Sequence, residues 1–272
     1  MVGFWPWLGG LPVVTAAGLA LLWAVHVFRV LTGWASVGEY SLQFPLVLPL
    51  QGYRLATGPL LHMDGLHVTL NTLALASIGP KLESAFGSVM LMELQLVCLL
   101  LSSLGFVCLL QLASWGLGYT LAQQAVGYSG ALFAMFVIEA EVSEDESPVS
   151  LFGGLKLSRR AMPWCMLVLI QVFIPSASFV GHLSGALVGL GLSRGLGARL
   201  FQCKFARLDS KLAAWCPTRH RPAFVGTHPF VKSQQHSLFC CQIPTIPQES
   251  AIAPPPPPTT FPSTPGHRLG SV

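Results

Sequence analysis

The residues most capable of chemistry in this sequence are a serine and a few histidines, each in or beside an apolar segment. Ser129 stands among small residues in the stretch 125–134, where an apolar segment begins. A serine is a weak nucleophile unless a base lies within hydrogen-bond reach and donors stabilise the oxyanion that forms. His182, near the end of the apolar region, is the candidate base. The pair indicates nucleophilic catalysis inside or beside a membrane.

Two further polar side chains could supply the oxyanion donors. His67 and Asn71 are four residues apart, so they project from one face of a helix. Both can donate hydrogen bonds, and His62, one or two turns earlier, could orient or extend the group. Alternatively, these side chains only bridge helices. Because Glu139 and Glu141 are predicted at the opposite membrane face, a Ser-His dyad is favoured over a triad with an acid.

The composition is that of an integral membrane protein. Of the 272 residues, 52% are hydrophobic and only 10% are charged, whereas a soluble domain carries about a quarter charged residues. The seven cysteines form no Cys-x-x-Cys pair, and the histidines of the last third lack metal-ligand spacing. We therefore expect no disulfide framework, no metal, no cofactor and no nucleic-acid partner.

The apolar segments predict an all-α bundle of six transmembrane helices. The spans are expected at about 13–31, 60–78, 89–112, 126–140, 161–174 and 179–192. Residues 1–12 would form a short lead, 13–193 the membrane domain, and 194–272 a basic and then proline-rich cytosolic tail, largely disordered. Arg29 is expected to reach the lipid headgroups, and residues 32–59 to lie at the membrane interface.

The positions of lysine and arginine predict the orientation. Lys81, the cluster at 156–160 and the basic stretch at 194–221 all fall on one side of a six-span bundle. Since basic loops favour the cytosol, both termini are predicted to be cytosolic. The four candidate site residues then share the lumenal half of the membrane.

Small residues predict how two of the spans pack. Gly181, Gly185 and Gly189 recur every four residues in the sixth span, and Gly130 and Ala134 have the same spacing in the fourth. Such faces let helices approach closely. The contact would bring the nucleophile to the base, although the small residues could serve assembly alone.

The sequence resembles the rhomboid intramembrane serine proteases over about residues 50–193. The resemblance rests on four motifs in the same order: His-Met-Asp-Gly-Leu-His-Val-Thr-Leu-Asn at 62–71, Glu83 with Gly87, Gly-Tyr-Ser-Gly at 127–130, and Gly-His-Leu-Ser-Gly-Ala-Leu-Val-Gly at 181–189. Tyr53-Arg54 is a partial counterpart of the family's Trp-Arg pair. The six-span form with a brief N-terminus and a long tail looks most like the fungal Golgi rhomboids.

The resemblance implies a role for each site residue. By this resemblance, Ser129 would be the nucleophile and His182 the general base and later the acid. The oxyanion donors would be His67, Asn71 and the Ser129 amide, with Gly127 and His62 as supporting residues. Phe133 matches a position where the family often has an aromatic ring against the catalytic histidine. That ring would take over the orienting role of an aspartate in a triad.

The implied activity is hydrolysis of a peptide bond within or near a transmembrane helix. The partners would be the lipid bilayer and single-span membrane proteins, which must unwind locally before attack because a helix hides its carbonyls in its own hydrogen bonds. Gly, Pro or polar residues near the lumenal end of the substrate helix would assist. The Golgi membrane is the expected location, with the endoplasmic reticulum as the alternative.

A different class of function is suggested by the tail. Residues 261–270 resemble a degenerate form of the short Phe/Gly/Arg-Leu-Gly box that binds the valosin-containing AAA ATPase. The chain could then be a catalytically silent rhomboid-like adaptor that passes membrane clients to that ATPase. A transporter is disfavoured because no broken helices occur in matched halves, and a metalloprotease because no His-Glu-x-x-His occurs.

Overall fold

A computed structural model of the protein describes residues 10–44, 46–47, 51–118, 121–143, 147–150 and 156–196, together with residue 214. Most of the predicted lead, the acidic run at 144–146, nearly all of the predicted tail and the box at 261–270 lie outside these residues.

The described chain is mostly helical, with helices in all six segments predicted to span a membrane. The helices are α1 (Val13–Thr32), α2 (Val37–Tyr40), α3 (Arg54–Leu60), α4 (Gly65–Phe86), α5 (Ser88–Leu117), α6 (Ser129–Val142), α7 (Met162–Phe173) and α8 (Phe179–Gly191). Among the described residues, two helices, α1 and α5, are long and apolar enough to cross a membrane. The bundle of six spans therefore stays a prediction.

Helix α4 begins later than the sequence predicts. The side chain of Asp64 accepts a hydrogen bond from the backbone N–H of His67 at 2.8 Å and caps the helix. The helix then runs through Pro80 to Phe86, eight residues beyond the predicted span. His62 therefore precedes α4, and the expectation that it lies a turn earlier on the same helix is wrong.

Two short ladders interrupt the predicted all-helical fold. Strand β1 (Leu42–Phe44) pairs antiparallel with β2 (Gln123–Ala125), and β3 (Val149–Ser150) pairs with β4 (Lys156–Leu157). In the first ladder Leu42 lies opposite Ala125 and Phe44 opposite Gln123. Residues 42–44 of the predicted interface loop thus pair with residues 123–125, which lead directly into α6.

A buried carboxylate ties the start of α1 to the end of α4. The side chain of Glu83 accepts hydrogen bonds from the backbone N–H groups of Val14 and Thr15 at 3.0 and 2.8 Å. The hydroxyls of Thr15 and Ser88 also donate to it, each at 2.7 Å. The first N–H groups of a helix have no partner within it, and the dipole there favours negative charge. Glu83 therefore satisfies α1 while fixing it against α4.

The main core lies between α4, α5 and α6. Leu75, Leu94, Met135 and Ile138 are completely buried there. Large apolar side chains also point outward, among them Phe28 and Leu31 on α1, Leu100, Leu104 and Trp115 on α5, and Val172 and Phe173 on α7. Extended apolar outer faces of this kind mark contact with a membrane or a partner.

Candidate active site

Helices α6 and α8 pack with their backbones in contact. A Cβ added to Gly185 would overlap the carbonyl of Gly130, and one added to Gly189 would overlap that of Ala134. Only glycine permits this approach, so the contact predicted from the four-residue spacing is present. It sets α8 against α6 at the start of α6.

This packing brings Ser129 and His182 within hydrogen-bond distance. Nε2 of His182 lies 2.9 Å from Oγ of Ser129. Ser129 is the first residue of α6 and is half-buried, whereas His182 is only 7% exposed. A hydroxyl bonded to an imidazole nitrogen has the geometry needed for proton transfer from the nucleophile.

An aromatic ring lies against the imidazole. The rings of Phe133 and His182 have centroids 4.8 Å apart and planes inclined by 30°. Phe133 is one turn beyond Ser129 on α6, and it is buried. In the part of the chain that the structure describes, no carboxylate is bonded to His182. The ring contact and the bond to Ser129 therefore restrain the imidazole.

The acidic residues of α6 lie at its other end. Glu139 pairs with Arg159 at 3.2 Å and with Lys81 at 3.7 Å, and Glu141 pairs with Arg160 at 3.8 Å. Ten residues of helix separate Ser129 from Glu139, which is about 15 Å. These carboxylates neutralise basic side chains there and are remote from the imidazole.

Two serines tie α5 to the α6–α8 pair, and sequence reasoning missed both. The hydroxyl of Ser184 on α8 donates to the carbonyls of Ser102 at 2.9 Å and Gly181 at 2.8 Å. The hydroxyl of Ser102 on α5 donates to the carbonyl of Gly130 at 3.3 Å. Each serine is a polar residue inside an apolar helix, and such hydroxyls commonly form hydrogen bonds between helices in membranes. This pattern could have indicated their role.

The turn before Ser129 is fixed by three contacts. Gly127 has φ +103° and its N–H donates to the carbonyl of Gly58 at 3.2 Å. The phenol of Tyr128 donates to the side-chain oxygen of Gln95 at 3.1 Å. A Cβ on Gly127 would lie 2.6 Å from Nε2 of His67. Gly127 is therefore required both for its backbone conformation and for the approach of that imidazole.

His67 and Asn71 share one face of α4, as predicted. The N–H of Met63 donates to Nδ1 of His67 at 3.4 Å, which leaves the ring hydrogen on Nε2, the atom facing Gly127. The amide nitrogen of Asn71 donates to the carbonyl of His67 at 2.9 Å. Asn71 is 4% exposed, and its Oδ1 has no hydrogen-bond partner among the described residues.

His62 and Arg29 form a second layer behind His67. The buried ring of His62 meets that of His67 edge-on with centroids 5.0 Å apart, and neither of its nitrogens has a partner among the described residues. The guanidinium of Arg29 donates to the carbonyls of His62 and Met63 at 2.9 and 3.1 Å. The expectation that Arg29 also reaches the headgroups stays a prediction.

Arg54 holds the loop that carries β1. Its side chain is 4% exposed and donates to Oε1 of Gln51 at 2.5 Å and to the carbonyl of Ser41 at 2.7 Å. The hydroxyl of the neighbouring Tyr53 donates to the carbonyl of Glu39 at 3.1 Å. The arginine of the partial Tyr-Arg pair therefore stabilises the loop from within.

A cavity of about 430 Å³ borders β2 and the connection between α7 and α8. Gln123, Gln124 and residues 176–180 line it, so its wall combines polar and apolar side chains. Across the described ranges, no three His, Cys, Asp or Glu side chains are grouped as metal ligands.

Comparison with known proteins identifies the family. A model of the rhomboid domain matches residues 49–199, just over half of the chain. Rhomboid-like protein 15 of Arabidopsis thaliana is 30% identical over 225 residues, which are 80% of this chain and 56% of that protein. Rhomboid-related protein 4 of Mus musculus is 31% identical over 201 residues, 69% of this chain and 59% of that protein.

Fungal proteins are also among the relatives. Rhomboid-type serine protease B of Aspergillus fumigatus is 28% identical over 187 residues, 68% of this chain and 66% of that protein. The chain spans little more than half the length of the plant and mouse relatives. Because the plant, mouse and fungal proteins have similar identities, the fungal Golgi subgroup stays a prediction. On the domain match and these relatives together, the chain belongs to the rhomboid family.

Proposed function

We propose that the protein is an intramembrane serine endopeptidase that cleaves single-span membrane proteins within or near their transmembrane helix. The observation that carries this proposal is the 2.9 Å contact between Nε2 of His182 and Oγ of Ser129. Family membership supports it, and so does the Aspergillus relative, which is named a serine protease.

The dyad would act in two half-reactions. His182 takes the hydroxyl proton while Oγ of Ser129 attacks the scissile carbonyl, and the resulting imidazolium then gives that proton to the leaving amine. An acyl-enzyme remains, with the second fragment released. Water, deprotonated by His182, attacks the ester, and the proton returns to Ser129 as the carboxylic fragment leaves.

The oxyanion would form between α4 and the start of α6. The first N–H groups of α6, including that of Ser129, have no partner within the helix, and the helix dipole favours negative charge there. Nε2–H of His67 lies against Gly127, and Asn71 follows one turn along the same face. Removing one such donor from a serine hydrolase costs about 10²–10³ in kcat.

The membrane placement follows from the length of α6. Its 14 residues extend about 21 Å, whereas the hydrocarbon core is about 30 Å thick. With the ion pairs of Glu139 and Glu141 at the cytosolic edge, about 15–18 Å of helix from Ser129, Ser129 would lie about 12–15 Å below the lumenal edge. We propose cytosolic termini, six spans and residence in the Golgi membrane, with the endoplasmic reticulum as the alternative. The basic residues Lys81, Arg159 and Arg160 support this orientation.

Substrates would reach the dyad in unwound form. In the cavity beside β2, the side chains of Gln123, Gln124 and Ser176 could form hydrogen bonds with backbone groups that leave a helix. Substrate helices with Gly, Pro or polar residues near their lumenal end should therefore be preferred. Replacing those residues with Leu in a cleaved substrate should reduce cleavage.

The test is cleavage of a panel of single-span reporters by the purified chain in liposomes. Wild type should cut at least one reporter, and Ser129→Ala and His182→Ala should abolish cleavage while remaining folded. Ser103→Ala is the matched control, because among the described residues the Ser103 hydroxyl bonds only the carbonyl of Leu99 within its own helix. Equal binding of reporters without cleavage by any variant would contradict the protease and favour the adaptor, which would act through residues 261–270.

A further inference from the structure

We propose that Arg29 is a positioning residue for the oxyanion donor His67, acting through the peptide group between His62 and Met63. This role rests on the proposed protease function. It joins the last turn of α1, which contributes no residue to the dyad, to the catalytic machinery.

Arg29 contacts the turn before α4. Its guanidinium donates from a single nitrogen to the carbonyl of His62 at 2.9 Å and to that of Met63 at 3.1 Å. Both carbonyls precede the capping residue Asp64, so they lie outside the hydrogen-bond ladder of α4. In a membrane, unpaired carbonyls are costly, and a planar guanidinium can satisfy two at a fixed geometry.

The second step is within the peptide group itself. The His62 carbonyl that accepts from Arg29 and the Met63 N–H that donates to Nδ1 of His67 belong to the same peptide unit. That unit is planar, so holding its oxygen also sets the direction of its N–H. A hydrogen bond at the carbonyl further polarises the unit and strengthens the donor.

The third step is the tautomer of His67. Because Nδ1 accepts from Met63, the hydrogen stays on Nε2, which lies against Gly127 in the turn leading to the nucleophile. Without the Met63 bond, His67 could carry the hydrogen on Nδ1 and turn a lone pair toward the oxyanion. Loss of Arg29 should therefore slow the chemical step rather than weaken substrate binding.

The test compares Arg29→Gln and Arg29→Lys with wild type in reporter cleavage. We expect Arg29→Gln to lower kcat about 10- to 30-fold, less than the loss from removing a donor outright, with KM within twofold of wild type. Lysine keeps a charged donor without the planar fork, so Arg29→Lys should recover part of the activity and remain only severalfold below wild type.

A double-mutant cycle with His67→Ala separates positioning from a merely structural role. If Arg29 acts through His67, Arg29→Gln should cause no further loss of kcat in the His67→Ala background. The same fold loss in both backgrounds would overturn the proposal, as would wild-type kcat in Arg29→Gln. Should Arg29→Gln fail to fold, Arg29→Lys carries the cycle, with a severalfold loss that is present only when His67 is intact.

The outcomes also separate this inference from the protease proposal. If wild type cuts reporters and Arg29→Gln cuts them equally fast, only the role of Arg29 is wrong. If wild type cuts none, the proposed protease is wrong and the role of Arg29 fails with it.

Discussion

The α6–α8 pair and the start of α4 deliver the two parts of the candidate site by different means. Between α6 and α8, the positions of Ser129 and His182 follow from glycine backbones in direct contact, at Gly185 on Gly130 and at Gly189 on Ala134. At the start of α4, hydrogen bonds donated by Met63 and Arg29 and one accepted by Asp64 fix the turn and the first residues of the helix.

Substitutions in the two parts should therefore have different effects on stability and activity. Backbone contact leaves no room for an added atom, so substitutions at the α6–α8 contact should both unfold the helix pair and abolish activity. A hydrogen bond contributes only about 1 kcal/mol to stability, yet it can set which atom faces the reaction. Substitutions at the start of α4 should therefore lower kcat strongly while changing the free energy of unfolding only slightly.

The largest effect is expected from Gly185→Ala. The added methyl overlaps the carbonyl of Gly130, so the helices must separate and the Ser129–His182 bond must break. We expect at least about 2 kcal/mol of lost stability and no measurable cleavage, by thermal unfolding in detergent and reporter assay. Gly191→Ala, in the same helix with open space around its Cβ, should behave as wild type. Equal behaviour of the two variants would refute the packing account.

The next effect is expected from Gly127→Ala, at the junction of the two regions. Its methyl would lie 2.6 Å from Nε2 of His67, so it should displace the donor and lower kcat by about 10³. Gly118→Ala is the matched control, since Gly118 has φ +75° but nothing within 4 Å of its Cβ. If both variants lose kcat equally, backbone strain and not contact with His67 is the cause.

A smaller effect is expected from Asn71→Ala. It removes an amide donor and should lower kcat about 10²-fold with little change in KM. The substitution also removes the hydrogen bond from the amide nitrogen of Asn71 to the carbonyl of His67, so it should lower the free energy of unfolding by only about 1 kcal/mol. The neighbouring Thr72→Val removes a buried hydroxyl bonded within α4 and should keep full activity. A loss of stability that matches the loss of activity would argue against a catalytic role.

The smallest effect is expected from Phe133→Leu. The ring contact with His182 at 4.8 Å is worth about 1 kcal/mol beyond its buried area, which corresponds to a three- to tenfold lower kcat. Phe136→Leu, which removes the ring adjoining Phe133, leaves His182 untouched and serves as control. Kinetics on both variants would show whether the ring orients the base, and equal kcat values would show that it does not.

The α6–α8 contact could be predicted from sequence because its signal is local and periodic. Glycines every four residues in one segment and small residues at the same spacing in another define a close approach. Phe133 follows Ser129 by one helical turn, so its place beside the base needs only the helix and the family resemblance.

The features that could not be predicted from sequence, at the start of α4 and in the β1–β2 ladder, depend on long-range contacts. Strands of three residues, such as β1 and β2, are too short to show a period, and their partners are some 80 residues apart. Arg29 at the end of an apolar helix has the pattern of a headgroup contact, and only the folded chain shows the carbonyls of His62 and Met63 within its reach. Asp64 is a capping residue by type, but Leu60 and Leu61 before it extend the apolar segment and hide the helix start.

The most direct test of the central claim is covalent labelling of Ser129 by a fluorophosphonate, which reports on the nucleophile without needing a substrate. Intact mass and peptide mapping of the full chain in detergent should show one adduct, at Ser129, in wild type. His182→Ala should label more than about 100-fold more slowly, while Ser103→Ala should label at the wild-type rate. Labelling of Ser129 at equal rates with and without His182, or an adduct at another serine, would contradict the Ser129–His182 dyad.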